Sequence, residues 1–172
     1  LLPEDHQIIV VDNGSSDETQ LELSKINKSN FKYVRSEENL GFAKGCNKGY
    51  WYALADKIMF LNNDIRVKSN HENWTQPIID FLNQNENYLI GPTGGYIDEK
   101  DNFQFKYETS DPNKKINYMS GWCLSANRNT LNKLRIFRNV TTAETLTTPP
   151  IFSPQIFSED FFCYFEDSDL GF

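Results

Sequence analysis

The stretch IIVVDNGSSD, residues 8–17, decides the fold because an apolar run changes at Asp12 into a polar loop that contains Gly14. A second apolar run, IMFL at 58–61, ends in the same way on NND at 62–64. Strands buried in a parallel sheet are apolar on both faces, so polar groups emerge at their carboxyl ends, where open α/β sheets bind ligands. We therefore predict two buried strands that each end at a ligand-binding edge.

Length and charge limit the class of protein. The 172 residues are enough for one compact domain with a core and too few for two such domains. The net charge is -7 and the Lys and Arg residues are scattered along the chain, so it lacks the basic surface that nucleic-acid binding needs. An acidic protein can still bind a diphosphate when a divalent cation bridges the two. We expect no nucleic-acid partner.

The first half of the chain alternates short β-rich runs with amphipathic stretches, which is typical of βαβ units. Lys44 and Lys48 are expected to be solvated charges on one of the amphipathic stretches. The pattern predicts strands at 7–11, 32–34, 57–61 and 88–91. It also predicts three helices: the first begins at Asp17 and is capped by Ser16, the second spans 41–55, and the third is capped by Asn70.

The second half has a different pattern, which implies mixed strand pairing. Residues 96–107, with Asp101 and Asn102 at their centre, predict a hairpin, and 116–125 predict a strand broken at Gly121. Residues 136–156 are rich in Thr, Pro and Asn without periodicity, so we predict a long loop or insertion there. The whole pattern predicts an α/β domain with a Rossmann-like mixed sheet flanked by helices.

The cysteines and the chain ends bear on location. Cys46, Cys123 and Cys163 are odd in number and lack CxxC spacing, which predicts buried reduced thiols and a reducing compartment, the cytoplasm. No apolar run approaches the roughly 20 residues that a membrane span needs. The chain opens without a charged signal region, so we expect an excerpt of a longer protein.

Three groups of polar residues have the chemistry of a nucleotide and metal site. The Asp12 carboxylate can accept hydrogen bonds from a base imide or a ribose hydroxyl, although an ordinary Asx turn remains the alternative. Asn39 and Gly41 open a helix whose free N–H groups suit an anion, and a plain helix start is nearly as good an explanation. Asp64 offers a hard oxygen ligand for Mg²⁺ or Mn²⁺, the alternative being a turn that ends a strand.

Five segments, taken in chain order, resemble the family-2 glycosyltransferases, which are inverting enzymes of the GT-A fold, and in particular their rhamnosyltransferase-like branch. The segments are DNGSSD at 12–17, NLGFA at 39–43 with Asn47, LNND at 61–64, GWC at 121–123 and the acidic stretch 161–170. The resemblance covers nearly the whole chain. It also implies a domain truncated at both ends, since the family's first strand would precede Leu1 and further family residues would follow Phe172. One departure is Asn62, where the family more often has the first carboxylate of a DxD motif.

The resemblance implies a role for each segment. It makes Asp64 the metal ligand and Asp167 the general base, with Glu166 orienting the base or binding the acceptor. For Glu166 and Asp167 the alternative is an acidic helix start. Gly121, Trp122 and Asp169 are implied to contact the donor or acceptor sugar. The implied nucleotide-binding residues are Asp12, Gly14, Ser15, Asn39, Gly41, Asn47, Asn63 and Asp64.

The resemblance also implies the reaction. A hexosyltransferase that depends on Mg²⁺ or Mn²⁺ would move a sugar from dTDP-rhamnose or a UDP-sugar to a glycan or lipid-linked acceptor, in polysaccharide or glycoconjugate biosynthesis. Segments beyond this sequence would associate it with the inner face of the membrane. We expect one partial domain over 1–172, with a nucleotide-binding half at 1–93 and an acceptor-side half at 94–172.

Two alternatives remain open. The first is a nucleotide- or glycan-binding module that has lost catalysis. The second is a nucleotidyltransferase, which normally needs a basic Gly-rich loop for the triphosphate that this sequence lacks.

Overall fold

A computed structural model describes residues 5–68, 73–134 and 155–159 of the chain. These residues form sheets and helices, which confirms the predicted mixed α/β class. The elements in chain order are β1 (Ile8–Asn13), α1 (Thr19–Ser24), β2 (Phe31–Ser36), α2 (Phe42–Tyr52), β3 (Lys57–Leu61), α3 (Gln76–Gln84), β4 (Leu89–Ile90), β5 (Gly94–Asp98), a 3-10 turn (Glu99–Asp101), β6 (Gln104–Thr109), β7 (Tyr118–Met119), β8 (Cys123–Asn127) and α4 (Arg128–Leu134).

The chain divides into two compact units. We call one the Asp12 unit; its described residues are 5–54, 132–134 and 155–159. We call the other the Asp64 unit; its described residues are 55–68 and 73–131. The division of the chain into a nucleotide-binding half at 1–93 and an acceptor-side half at 94–172 stays a prediction.

In the Asp12 unit, β1 and β2 pair in parallel, with Asp12 opposite Arg35 and Asn13 opposite Ser36. Two glycines of α2 face β1: a Cβ at Gly49 would lie 3.1 Å from Val11 Cγ2, and one at Gly45 would lie 3.5 Å from Asn13 Nδ2. Small residues on this face let the helix lie close to the strand. The parallel pair therefore ends at an edge that α2 borders.

Two predicted helix boundaries in the Asp12 unit are wrong. Helix α1 begins at Thr19 with Glu18 as its N-cap, and the predicted Ser16 cap is not made. Asp17 Oδ1 accepts the Thr19 N–H at 3.0 Å just before the helix. Helix α1 buries none of its residues, and Leu21 is 58% exposed. No core contact of α1 therefore stabilises a longer helix. Helix α2 ends at Tyr52, since Ala53 has an extended backbone.

The Asp64 unit contains an antiparallel sheet in the order β3-β8-β4. Strand β3 has the predicted bounds, but its burial alternates: Ile58 and Phe60 are buried, whereas Leu61 is exposed. The expectation of a strand buried on both faces is therefore wrong for β3, and its pairing with β8 is that of a half-buried antiparallel strand. The core around this sheet contains Leu82 and Leu124.

A second sheet of the Asp64 unit, in the order β6-β5-β7, confirms the predicted hairpin. Asn102 and Phe103 at its turn have positive φ values of 50° and 57°. Gly95 is required in β5, because a Cβ there would lie 2.4 Å from Tyr107 O. The predicted break at Gly121 is also confirmed, since it separates β7 from β8.

Some expectations lie outside the described residues, among them the Asn70 cap and nearly all of the 136–156 loop. Across the ranges that the structure describes, no helix has both the length and the apolar character to span a bilayer.

Candidate functional site

Asp12, at the carboxyl end of β1, has a fully buried side chain. Its Oδ1 accepts the Ser15 N–H at 2.8 Å, and its Oδ2 accepts hydrogen bonds from the Tyr33 hydroxyl and the Arg35 guanidinium. The guanidinium also donates to Ser15 O at 2.9 Å. The register explains this cluster, because Arg35 is paired opposite Asp12 and Tyr33 lies two residues earlier on the same face of β2. Tyr33 and Arg35 were missed by the sequence analysis.

The ionisation of this cluster is fixed by its contacts. Burial by itself would raise the pKa of Asp12, but hydrogen bonds from Tyr33, Ser15 and Arg35 outweigh it and hold that pKa well below its ordinary value. The pKa of Arg35 is raised by its contacts with Tyr33 and Asp12. At neutral pH Asp12 and Arg35 are therefore an ion pair whose carboxylate is buried and whose guanidinium is partly exposed, and Asp12 is a structural support of the loop. A direct contact between Asp12 and the nucleotide stays a prediction.

The two predicted nucleotide loops lie against each other. Gly14 has φ +81°, and a Cβ there would lie 2.6 Å from Glu38 C and 2.8 Å from Asn39 N. The Asn13 side chain joins the loops, donating to Asn39 Oδ1 at 3.0 Å and to Gly41 O at 2.9 Å while accepting the Leu40 N–H at 3.0 Å. Asn13 is a further site residue that the sequence analysis missed.

The second loop leads directly into α2. Asn39 Oδ1 accepts the Gly41 N–H at 2.9 Å, and Gly41 has φ 82° at the position before the helix. The first turn of α2 contains no acidic side chain. The N–H groups of a first turn lack helical acceptors and carry the positive end of the helix dipole. This edge of the Asp12 unit therefore suits an anionic ligand such as a phosphate.

Two residues further along α2 have side-chain contacts that the sequence analysis did not predict. The Asn47 amide bonds to the described segment 155–159, so its atoms are occupied by the protein and not directed at a ligand. Lys48 is not a solvated charge, since its Nζ donates to Arg35 O at 2.8 Å and to Ser36 Oγ at 2.9 Å. Lys48 thus fixes the end of β2, whereas Lys44 is exposed as expected.

In the Asp64 unit, the residues after β3 meet the segment before β8. Leu61 is paired with Cys123, and the Asn62 N–H donates to Trp122 O at 2.9 Å. The predicted metal triplet 62–64 and the predicted sugar segment 121–123 are therefore adjacent. Gly121 is buried in this arrangement, whereas Asn63 and Asp64 are exposed.

A carboxylate that the sequence analysis missed lies beside Trp122. The Trp122 indole N–H donates to Thr93 Oγ1 at 3.1 Å, and that hydroxyl donates to Glu108 Oε1 at 3.2 Å. The Ser120 hydroxyl donates to the same carboxylate oxygen. Because Glu108 is exposed, its carboxylate can also accept a hydrogen bond from a ligand.

The donor set around Asp64 suits a metal that arrives with phosphate. Among the described residues, no group of three or more His, Cys, Asp or Glu side chains could hold a metal ion. Asp64 instead offers one exposed carboxylate, next to the amides of Asn62 and Asn63. Mg²⁺ is commonly held by one or two carboxylates together with substrate phosphates, so these residues fit a metal that the donor completes.

The predicted base and its neighbours, Glu166, Asp167 and Asp169, lie outside the described residues. Their roles stay predictions.

The described residues form a mixed α/β fold that is consistent with the GT-A type. The loops at 12–17 and 39–41 are joined in the Asp12 unit, and the triplet 62–64 lies beside Trp122 in the Asp64 unit. The family model for glycosyl transferase family 2 matches residues 2–144. The chain therefore belongs to glycosyl transferase family 2, and it is a glycosyltransferase domain that takes a nucleotide-sugar donor and an acceptor. Among curated proteins, no match to the chain was found.

Proposed function

We propose that this domain transfers a hexose, with inversion, from dTDP-rhamnose or a UDP-sugar to a hydroxyl of a glycan or lipid-linked acceptor. The observation that carries the proposal is the junction of the two loops, where Gly14 lies against Glu38 and Asn39. The joined loops form one polar edge beside the first turn of α2, whose backbone N–H groups can donate hydrogen bonds to a nucleotide diphosphate. The adjacent Asn62 and Trp122 in the Asp64 unit support a donor site as well.

Asp64 would hold Mg²⁺ or Mn²⁺ together with the donor diphosphate. A bound metal offsets the negative charge that develops on the departing nucleoside diphosphate. Asn63 would contact the nucleotide next to it. Because the metal triplet contains one carboxylate, metal binding is expected to be weak without nucleotide.

Inversion requires one displacement with a base on the acceptor side. In the proposed step, the Asp167 carboxylate takes the proton of the acceptor hydroxyl as its oxygen bonds to the anomeric carbon. The bond from that carbon to the diphosphate breaks, and the nucleoside diphosphate leaves. Glu166 orients the base or the acceptor, and Gly121, Trp122 and Asp169 contact the sugars.

We place this reaction in the cytoplasm, at the inner face of the membrane, in polysaccharide or glycoconjugate biosynthesis. The free thiols of Cys46 and Cys123 support a reducing compartment. Burial raises the pKa of the Cys123 thiol, which keeps it protonated and inert.

The test separates the transferase from a binding module. Sugar transfer and nucleotide binding are measured for the wild type, Asp167→Asn and the matched control Asp56→Asn, which changes an exposed carboxylate. A transferase with this base loses turnover by a factor of about 100 or more in Asp167→Asn and keeps its affinity for the nucleotide. Retained transfer by Asp167→Asn contradicts the base assignment, and nucleotide binding without transfer by the wild type indicates the binding module.

A further inference from the structure

Asn47 lies in the middle of α2 and is 2% exposed. Its Oδ1 accepts the N–H groups of Ile156 and Phe157 at 2.9 and 3.0 Å. Its Nδ2 donates to Phe157 O at 2.8 Å and to Glu159 Oε1 at 3.2 Å. An amide side chain can accept two hydrogen bonds and donate two, so these contacts use its whole capacity. No hydrogen-bonding group of Asn47 is left for a ligand.

The segment that Asn47 holds is buried as deeply as the core. Ile156 and Phe157 are 0% exposed. The Phe157 ring packs edge-on against Phe42, with ring centroids 6.1 Å apart. Since Phe42 is the first residue of α2 and follows Gly41 directly, the helix contacts the 155–159 segment near its start through a ring and near its middle through an amide.

An amide fixes the segment more narrowly than an apolar side chain would. Asn47 bonds to the N–H groups of two successive residues and to the C=O of the second. A shift of the segment by one residue would leave buried polar groups without hydrogen-bond partners, which is unfavourable. Asn47 therefore sets the register of residues 155–159 on α2.

We propose that Asn47 is a positioning residue for the acceptor side of the reaction and not a nucleotide contact. It fixes, against the helix that the nucleotide loop opens, the stretch of chain that continues into the acidic segment 161–170. This inference rests on the proposed function, which assigns the nucleotide to the loop and the base to Asp167. The loss of Asn47 should then lower the rate of transfer without weakening donor binding.

The variants are Asn47→Ala, Asn47→Asp and the control Asn83→Ala, which removes an exposed amide from α3. Asn47→Asp keeps acceptor oxygen for the Ile156 and Phe157 N–H groups, loses both donated hydrogen bonds, and sets a carboxylate against Phe157 O and Glu159 Oε1. Three quantities are measured on the whole chain. They are hydrogen exchange at 155–159, calorimetric affinity for UDP, dTDP and GDP with Mn²⁺, and kcat and KM for release of nucleoside diphosphate from UDP-glucose and dTDP-rhamnose.

We expect Asn47→Ala to speed exchange of the Ile156 and Phe157 amides about tenfold, the effect of losing roughly one buried hydrogen bond. Nucleotide affinity and donor KM should stay within twofold, while kcat falls about tenfold. Asn47→Asp buries a carboxylate against two acceptors, so it should speed exchange and lower kcat at least as much as Asn47→Ala, and Asn83→Ala should match the wild type.

Two results overturn the inference. Weaker nucleotide binding in Asn47→Ala with unchanged exchange would make Asn47 a nucleotide contact. Faster exchange with unchanged kcat would make its role structural only. A wild type that neither binds any of the nucleotides nor turns over a donor instead refutes the proposed function, and the exchange data distinguish that failure because they need no substrate.

Discussion

The buried pair of Asp12 and Arg35 yields the sharpest quantitative prediction. Asp12→Asn keeps the shape of the side chain and an acceptor for the Ser15 N–H, but it leaves the Arg35 charge without its partner. Removing one partner of a buried ion pair costs about 3–5 kcal/mol. Because the Arg35 side chain is 26% exposed and can be rehydrated, we expect a smaller loss of unfolding free energy, about 2–3 kcal/mol at pH 7.

The effect should depend on pH in a defined direction. The pKa of Asp12 is lower in the folded protein than in the unfolded chain, where it is about 3.9. Its contribution to stability is therefore complete above that unfolded value and is lost as the pH falls towards the folded value. The difference between wild type and Asp12→Asn should be constant from pH 8 to 6 and should shrink below about pH 4.

Urea unfolding followed by circular dichroism, at pH 7 and at pH 3, measures both effects. Asp56→Asn is the control, and its loss should stay within about 0.5 kcal/mol. A double-mutant cycle with Arg35→Met should give a coupling energy above about 1 kcal/mol. A loss below about 0.5 kcal/mol for Asp12→Asn, or the same loss at both pH values, would refute the reasoning.

Three further predictions follow from the two units. Gly14→Ala should destabilise the chain by at least about 1–2 kcal/mol in urea unfolding, because of its positive φ, and should weaken nucleotide binding. Equal unfolding free energies for Gly14→Ala and the wild type would show that the two loops are not in contact at Gly14. If Glu108 binds a sugar hydroxyl, Glu108→Gln should lower kcat/KM for the donor on the order of tenfold and leave the affinity for the free nucleotide unchanged. Equal loss in both assays would argue against a sugar contact. In Cys46→Ser/Cys163→Ser, the remaining Cys123 thiol should react with a thiol reagent at pH 8 far more slowly in the folded chain than in urea, because burial raises its pKa. Equal rates would contradict its burial.

Elements with strong local signals were predicted closely. Strand β3 has the predicted bounds because the apolar run 58–61 follows Lys57 and ends at the polar residues 62–64. The hairpin of β5 and β6 followed from the turn residues Asp101 and Asn102, and the latter does adopt a positive φ. Helix α1 was predicted too early, since Ser16 is a good capping residue by type, whereas the N-cap in the structure is Glu18.

The parts of the site that were missed depend on contacts between distant residues. Tyr33 and Arg35 contact Asp12 because of the register of β1 on β2, and the sequence of β2 alone indicates only a strand. A Tyr and an Arg two residues apart were the available signal, since they share one face of a strand. Asn47 carried no such signal, because its partners at 156 and 157 lie about a hundred residues further along the chain.

The central claim is that this family-2 domain binds a nucleoside diphosphate together with a metal at Asp64. Calorimetric titration of UDP, dTDP and GDP, each with and without Mn²⁺, into the wild type and Asp64→Ala tests it most directly. We predict that one nucleotide binds the wild type with Mn²⁺ and at least tenfold more weakly without it, and that Asp64→Ala loses this metal dependence. Nucleotide affinity that changes neither with Mn²⁺ nor with the Asp64→Ala substitution would contradict the account. So would a folded wild type that binds none of the three nucleotides.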